Sequence, residues 1–298
     1  MLGWTAYAPN KASSGFQQSS EDGFPRMVVL AFADIFGKAG RRAVAAALPD
    51  LKATYFPDII IGNAENLAGG RGVNKRTFQE MIEMGFHGLT SGNHIWDNRE
   101  VLTFIDNEER LLRPANFPSP PGLPCPGRGF GVIRNGDKRL FVINVMGRVF
   151  MDAIDCPFAA VDRILKEHPT DFPVLVDMHA DATSEMYAMG WHCAGRVAAV
   201  LGSHSHVQTA DERILPGGTA YITDVGMSGA FDSVIGLRPP EIIKRFMTKR
   251  PVPTQAAKEN PGVSCVVITI SPSNRAQKIE RLRFSVSNTG LEHEGDMD

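Results

Sequence analysis

Residues 197–206 read Val-Ala-Ala-Val-Leu-Gly-Ser-His-Ser-His, an apolar run that ends in two histidines separated by one serine. The run 197–201 is typical of a buried strand, so His204 and His206 are expected just beyond its C-terminal end. In extended backbone, side chains two residues apart point the same way, and neutral imidazole is a common ligand of transition metals. The pair is therefore predicted to converge on one site, although two solvent-exposed loop histidines fit this short motif equally well.

Four other predicted strands are followed by side chains that can bind metals. The strands at residues 27–33, 59–61, 88–90 and 174–178 lead to Asp34, to Glu65 and Asn66, to Asn93 and His94, and to His179, respectively. In open α/β folds, parallel strands deliver their C-terminal ends to one rim, where ligands bind. The repetition of this pattern on five strand ends predicts an α/β fold with one shared site.

Each of these residues, taken alone, has an ordinary alternative role. Asp34 fits a helix cap, Glu65 a solvated loop acid and Asn93 a turn residue. His179 fits a buried histidine whose hydrogen bonds are satisfied. The prediction of a shared site therefore depends on the whole set.

The composition is that of an ordinary globular protein. The 298 residues are 43% hydrophobic and 21% charged, with a formal net charge of -2. No basic nucleic-acid surface, polybasic membrane patch or membrane span is indicated, so any nucleotide ligand is expected to be small. The four cysteines lack CxxC spacing, so the sequence suggests neither a zinc site nor a disulfide framework. Cysteines of this kind favour a location in the reducing cytoplasm.

One domain is predicted between two polar ends. Residues 1–26 lack the cationic start and apolar core of a secretory signal and are expected to be a disordered extension. Regular patterning begins at Met27, a second candidate for the natural start, and the domain is expected to cover residues 27–288. Residues 289–298 are acidic and are expected to be frayed.

Local signals predict how two segments near the site begin and end. A helix is expected over residues 37–48, where Gly37 and Gly40 open a segment with helical spacing. Asp97 is expected to cap a helix that begins at residue 99.

The predicted ligands suit two metal ions better than one. Two carboxylates, an amide oxygen and three imidazoles are too many for one tetrahedral zinc site, but they suit two borderline metals with mixed ligands. One carboxylate can bridge both ions, and two divalent cations with two carboxylates leave a local charge of about +2. That charge favours a bridging hydroxide and an anionic phosphate, as in two-metal phosphoester hydrolysis.

The ordered motifs resemble those of the calcineurin-like metallophosphoesterases, and specifically their bacterial YmdB-like subfamily. The resemblance covers about residues 27–270 and rests on Asp34-Ile35-Phe36-Gly37-Lys38, Gly62-Asn63-Ala64-Glu65-Asn66, Gly92-Asn93-His94-Ile95-Trp96-Asp97, Asn144-Val145-Met146-Gly147-Arg148 and the run from Gly202 to Asp211. Phe36 and Glu65 stand where the wider superfamily usually has histidine and aspartate, and this substitution is itself a mark of the YmdB-like branch.

The resemblance implies a four-layer αββα sandwich and a homo-oligomeric phosphodiesterase. The implied substrates are small phosphodiesters, above all 2′,3′-cyclic nucleotides, and the implied metals are iron or manganese, with zinc as an alternative. One metal would be held by Asp34, the bridging Glu65 and His206, with Asn66 at its edge, and the other by Glu65, Asn93, His179 and His204. A metal-bridging hydroxide would attack phosphorus while His94, as general acid, protonates the leaving oxygen; the alternative for His94 is a partner that holds a metal ligand in place.

Several positions bear on substrate preference. Asp181 and Met186 stand where relatives usually have glutamate and lysine, and both are expected beside the cleft. Arg148 is expected to contact a phosphate or nucleotide, or equally to bond a loop carbonyl. A phosphomonoesterase acting on a nucleotide or phosphoprotein, and a nucleotide-responsive regulator with weak activity, remain alternative functions.

Overall fold

Runs of buried, mostly apolar residues form two β-sheets that pack face to face. The computed structural model describes residues 26–286. The first sheet contains β1 (Met27–Asp34), β2 (Ile59–Asn63), β3 (Gly88–Thr90), β10 (Gly229–Ala230), β11 (Pro261–Ile270) and β12 (Ala276–Ser285). Its order is β10-β11-β1-β2-β3, with β12 also paired to β11, and β1, β2 and β3 are parallel.

The second sheet has the order β4-β5-β6-β7-β9-β8. Its strands are β4 (Phe130–Asn135), β5 (Lys138–Met146), β6 (Val174–His179), β7 (Ala199–Ser203), β8 (Arg213–Leu215) and β9 (Thr219–Ile222). The four central strands β5, β6, β7 and β9 are parallel. Their C-terminal ends therefore lie at one rim, as in other parallel sheets.

Helices cover the outer face of each sheet. The helices are α1 (Gly37–Tyr55), α2 (Lys75–Met84), α3 (Pro157–Glu167), α4 (Thr183–Cys193) and α5 (Pro239–Thr248), with 3₁₀ turns at Arg99–Thr103 and Ile105–Asn107. The first apolar cluster joins α1 and α2 to the first sheet, and a third joins α3 and α4 to the second. Between the sheets lies a cluster that includes Val29, Ile61 and Leu201. These three interfaces separate four layers, which confirms the predicted αββα sandwich.

The first helix is longer than the sequence predicts. It runs to Tyr55 through Pro49, whereas the expected helix ended one residue before that proline. Proline lacks the N–H that would bond the carbonyl of Ala45, four residues earlier. Ala45 and Pro49 are both exposed, so water can bond this carbonyl, and the burial of Leu51 on the opposite side of the helix favours its continuation.

The predicted segment at residues 1–26 falls, except for Arg26, outside the described residues, as does the tail at 289–298. The single domain at residues 27–288 and the choice of start codon stay predictions. Among residues 26–286, no helix is both long enough and apolar enough to cross a membrane.

Gly40 offers a test of how α1 is seated next to the strand ends. A Cβ atom at this position would lie 2.3 Å from the carbonyl oxygen of Ser228. Helix propensity alone favours Gly40→Ala by about 1 kcal/mol, but overpacking costs about 1–3 kcal/mol. We expect Gly40→Ala to lower the free energy of unfolding in urea.

Ala45→Gly is the matched control, because Ala45 is exposed in the same helix. It should cost only the propensity difference of about 1 kcal/mol. A gain in stability for Gly40→Ala would show that α1 is not seated against Ser228 as described.

Candidate metal centre

The structure brings the predicted ligands to one rim where the two sheets meet. Asp34 is the last residue of β1, His179 the last of β6, and Ser203, the last of β7, immediately precedes His204. Glu65 and Asn93 follow β2 and β3 by two and three residues. Asp34, Glu65 and His179 are fully buried.

His179 is the centre of the closest contacts. Its Nε2 atom lies 3.0 Å from Asn93 Oδ1, 3.0 Å from His204 Nδ1 and 3.2 Å from Glu65 Oε1. A neutral or charged imidazole carries at most one proton on Nε2, so it can satisfy only one of these three lone-pair atoms at a time. Glu65, His179 and His204 therefore form a candidate metal-binding cluster.

The close contacts in this cluster shift the pKa values of all three of its members. Burial by itself raises the pKa of Glu65, but the His179 imidazole and the His94 N–H outweigh it and bring the pKa down to about 2. Burial acts to lower the pKa of His179, yet Glu65 and Asp34 raise it to about 9. Burial and the neighbouring His179 lower the pKa of His204 to about 4. Without a cation, a proton on His179 thus compensates the carboxylate, and a metal must displace that proton.

A second group of candidate ligands lies beside the first. His206 Nδ1 lies 2.9 Å from the carbonyl oxygen of Ile235, to which it can donate, and this leaves the Nε2 lone pair facing Asp34 Oδ1 at 3.9 Å. Within residues 26–286, buried oxygen atoms without a hydrogen-bond partner include Asp34 Oδ1, Glu65 Oε1 and Asn66 Oδ1. Buried acceptors are rarely left unpaired, and a cation would satisfy all three. The residues present therefore fit bound metal.

The two histidines converge through strained backbone rather than through an extended strand. The strand ends at Ser203, and His204 and His206 have φ angles of 114° and 64°. Such angles are unfavourable for residues other than glycine and persist where the surroundings hold them. Asp34 Oδ2 accepts the N–H of His204, and Asp224 Oδ2 accepts both the N–H and the hydroxyl of Ser205. The expectation of extended geometry was wrong, but the convergence it predicted is present.

Gly92 allows Glu65 and His179 to approach each other. A Cβ atom on Gly92 would lie 2.2 Å from His179 Cδ2 and 2.4 Å from Glu65 Oε2. No side chain fits there without displacing one of these residues. The Gly-Asn-His motif thus places Asn93 beside His179 and leaves room for the carboxylate.

A buried chain of hydrogen bonds fixes the other side of His179. The Nδ1 atom lies 3.0 Å from Ser203 Oγ, which donates to Asp177 Oδ1 at 3.1 Å, and Thr90 donates to the second oxygen of Asp177. Burial raises the pKa of Asp177 to about 6. With Nδ1 donating to Ser203, the ring is held so that Nε2 faces Glu65, which is how outer partners commonly orient a metal-binding histidine.

His94 is hydrogen-bonded to Asp97, the residue that the sequence predicted to be a helix cap. Its Nδ1 lies 2.8 Å from Asp97 Oδ2, while the backbone N–H of His94 donates to Glu65 Oε2. Asn98, not Asp97, caps the 3₁₀ turn by accepting the N–H of Glu100. The predicted cap was wrong because the neighbouring asparagine makes that bond, which leaves Asp97 to bind the histidine.

A cavity of about 300 Å³ opens onto these residues. Its lining includes Glu65, Asn66, His94, His204, His206, Phe36, Gly69, Gly70, Arg71, Ile235 and Leu237. Phe36 packs edge-on against His206, with ring centroids 5.6 Å apart, at the position where the superfamily usually has histidine. Arg71 is an exposed cation in this lining that the sequence prediction missed.

Of the three positions that were expected to bear on substrate preference, the structure places only Asp181 beside the candidate ligands. Arg148 has an exposed side chain outside this lining, and its backbone N–H donates to Glu185, so its role in binding stays a prediction. Asp181 Oδ2 lies 3.8 Å from His204 Nε2, beside the cleft as expected. Met186 is a buried residue of α4 that belongs to the third apolar cluster, so its expected place beside the cleft was wrong.

Two of the missed supporting residues had usable signals. Asp224 lies just after β9, so the strand-end rule applied to β9 as well would have found it. Asp177 is an acid inside the apolar run of β6, which is unusual for a buried strand. No such local signal distinguishes Arg71.

The chain is similar to several known proteins. Residues 30–282 match the YmdB-like protein family. A 2′,3′-cyclic-nucleotide 2′-phosphodiesterase of Bacillus subtilis (strain 168) is 44% identical over 258 residues, which are 86% of this chain and 96% of that relative.

Two solved structures are similar throughout most of their length. The crystal structure of a hypothetical protein from Thermus thermophilus has a TM-score of 0.80 and 40% identity, and the match covers 87% of this chain and 99% of that one. The crystal structure of a novel phosphatase from Mycoplasma pneumoniae has a TM-score of 0.82 and 31% identity, with 87% and 94% covered. The chain therefore belongs to the YmdB-like protein family.

Proposed function

We propose that this chain is a metal-dependent phosphodiesterase that hydrolyses small phosphodiesters, and 2′,3′-cyclic nucleotides above all. The observation that carries the proposal is the convergence of Glu65, Asn93 and His204 on Nε2 of His179. The Bacillus subtilis relative, which is named as a 2′,3′-cyclic-nucleotide phosphodiesterase, supports the substrate class. A cytoplasmic location and a homo-oligomer stay predictions.

Two metal ions fit the ligands that surround Glu65. Asp34, His206 and Asn66 would hold one ion, and Asn93, His179 and His204 the other, with Glu65 between them. Mixed oxygen and nitrogen ligands suit iron or manganese, and zinc is an alternative. When bound, such a pair supplies a hydroxide nucleophile at neutral pH and positive charge next to the phosphate.

His94 is placed to act as the general acid. It lines the cavity, and its Nδ1 atom is 2.8 Å from the carboxylate of Asp97. A carboxylate that accepts the Nδ1 proton fixes the orientation of the ring, which leaves Nε2 as the atom that can donate a proton to the leaving oxygen. Arg71, in the same lining, supplies a fixed positive charge for the phosphate.

A phosphomonoesterase is the second candidate, because the similar Mycoplasma pneumoniae structure is that of a phosphatase. Purified holoenzyme should hydrolyse bis-p-nitrophenyl phosphate and adenosine 2′,3′-cyclic phosphate with higher kcat/KM than p-nitrophenyl phosphate. The reverse order of kcat/KM would replace the proposed activity with the second candidate. Turnover of none of the three with iron, manganese or zinc would contradict both.

Metal content tests the ligand assignment directly. We expect about two metal ions per chain in protein purified without oxygen, as measured by mass spectrometry of the metals. Glu65→Gln and His179→Ala should each lower that content, because each removes a ligand from the crowded centre. His192→Ala is the matched control, since His192 pairs with Asp162 on α3. One ion per wild-type chain would contradict the dinuclear centre.

The role of His94 is separable from metal binding. His94→Ala should lower kcat by about two to four orders of magnitude, the usual contribution of a positioned acid, while the metal content stays that of the wild type. Asp97→Asn should cause a smaller loss, because the acid remains but its partner charge is gone. If His94→Ala also lost its metals, His94 would be a support for the ligands instead.

A further inference from the structure

A second cavity adjoins the catalytic cleft behind the glycine loop at residues 69–72. It has a volume of about 360 Å³, and its lining includes Lys38, Arg41, Gly69, Asn74, Arg76 and Asn98. Gly69 also lines the cavity that holds His94 and Arg71. The backbone of one short loop therefore separates the two cavities.

The charged side chains that line this second cavity are all cationic. Arg41 is compensated by Glu80, which lies 2.8 Å from its Nε atom. Within residues 26–286, Lys38 and Arg76 make no ion pair with a carboxylate. The cavity therefore holds two positive charges that no acid of the described chain neutralises.

The uncharged polar side chains also present hydrogen-bond donors. Asn74 Oδ1 accepts the N–H of Thr77, and Asn98 Oδ1 accepts the N–H of Glu100. Because each amide oxygen is committed to a cap, the NH₂ group of each asparagine is the part that remains to bind a ligand. A lining of cations and amide donors recognises an anion with several oxygen atoms.

Two helix N-termini add to this positive potential. Lys38 belongs to the first turn of α1 and Arg76 to the first turn of α2, and neither turn contains an acidic residue. The N-terminal end of a helix carries a partial positive charge, which favours anions. Of the two acids next to Asn98, Asp97 binds His94 and Glu100 accepts the N–H of Lys75, and neither lines the cavity.

We propose that this second cavity binds a phosphate on the 5′-oxygen of the same nucleotide whose 2′,3′-cyclic phosphate reacts beside His94. The inference deepens the proposed function and rests on it for the identity of the reacting group. The 5′ and 2′,3′ positions lie on opposite sides of one ribose, so a nucleotide that passes over Gly69 can place one phosphate in each cavity. A terminal 5′-phosphate and the internucleotide phosphate of a short RNA end share this chemistry.

Assays of the holoenzyme with three substrates distinguish a terminal 5′-phosphate from an internucleotide phosphate. They are adenosine 2′,3′-cyclic phosphate, its 5′-phosphorylated form, and the dinucleotide ApA that ends in a 2′,3′-cyclic phosphate. We expect kcat/KM to be at least about tenfold higher for one or both of the last two, the gain typical of a charge-assisted hydrogen bond. A gain for the phosphorylated mononucleotide alone identifies a terminal phosphate, and a gain for the dinucleotide alone identifies an internucleotide phosphate.

Variants of the cavity lining test whether the second cavity causes the preference for the extra phosphate. Lys38→Gln with Arg76→Gln should remove the preference for the extra phosphate and leave kcat/KM for adenosine 2′,3′-cyclic phosphate within about twofold of wild type. Lys75→Gln is the matched control, since it removes an exposed charge from the same turn of α2 outside the cavity lining. Arg71→Gln should lower kcat/KM for all three substrates and keep their ratio.

A binding measurement keeps this test independent of turnover. Calorimetry should show that adenosine 5′-monophosphate binds the wild-type holoenzyme at least about tenfold more tightly than adenosine does, and that the double variant loses this difference. Equal kcat/KM for the three substrates together with equal binding of the two ligands would overturn the inference. Binding of the 5′-phosphate without turnover of any cyclic phosphate would instead overturn the proposed function and leave the second cavity as an anion site.

Discussion

The contacts around Nε2 of His179 impose the main constraint on this structure. Three atoms with lone pairs, from Glu65, Asn93 and His204, lie 3.0–3.2 Å from one nitrogen that can carry a single proton. Such crowding is unfavourable unless a cation binds or the backbone holds the groups in place. Buried carboxylates provide that support: Asp177 acts through Ser203, and Asp34 accepts the N–H of His204. The polar groups beneath the centre are thus explained by the need to hold ligands that repel one another.

The two sheets divide the ligands by chemistry. The parallel strands β1, β2 and β3 of the first sheet lead to the candidate oxygen ligands Asp34, Glu65, Asn66 and Asn93, whereas β6 and β7 of the second lead to the candidate nitrogen ligands His179, His204 and His206. The centre therefore lies across the interface between the sheets. The apolar cluster that includes Val29, Ile61 and Leu201 fixes the distance between them, and with it the distance between carboxylates and imidazoles. Packing in the inner layers and geometry at the rim are coupled for this reason.

The sequence predicts the fold, and the meeting of the candidate ligands at one rim, because both depend on local patterns. An apolar run followed by a polar residue marks each strand end, and a parallel α/β sheet brings such ends together. Features that depend on tertiary contacts were not accessible. The left-handed backbone of His204 and His206 results from bonds to Asp34 and Asp224, and the pairing of His94 with Asp97 depends on Asn98 taking the cap. Likewise Lys38 and Arg76 are ordinary helix residues in the sequence, and only the packing of α1 against the glycine loop places them in one cavity.

The glycine loop at residues 69–72 lies between two cavities whose linings favour ions of opposite charge. On one side lie lone-pair donors, three of them buried oxygen atoms that lack a hydrogen-bond partner within residues 26–286, which suit cations. On the other side lie cations and amide donors, which suit anions. Gly69, Gly70 and Gly72 have φ angles of 65°, 98° and 72°, so the chain turns there in a way that side-chain-bearing residues rarely adopt. Because Gly69 lines both cavities and carries no side chain, a ligand with charge at both ends can contact both, whereas a bulky residue at Gly69 would block that path.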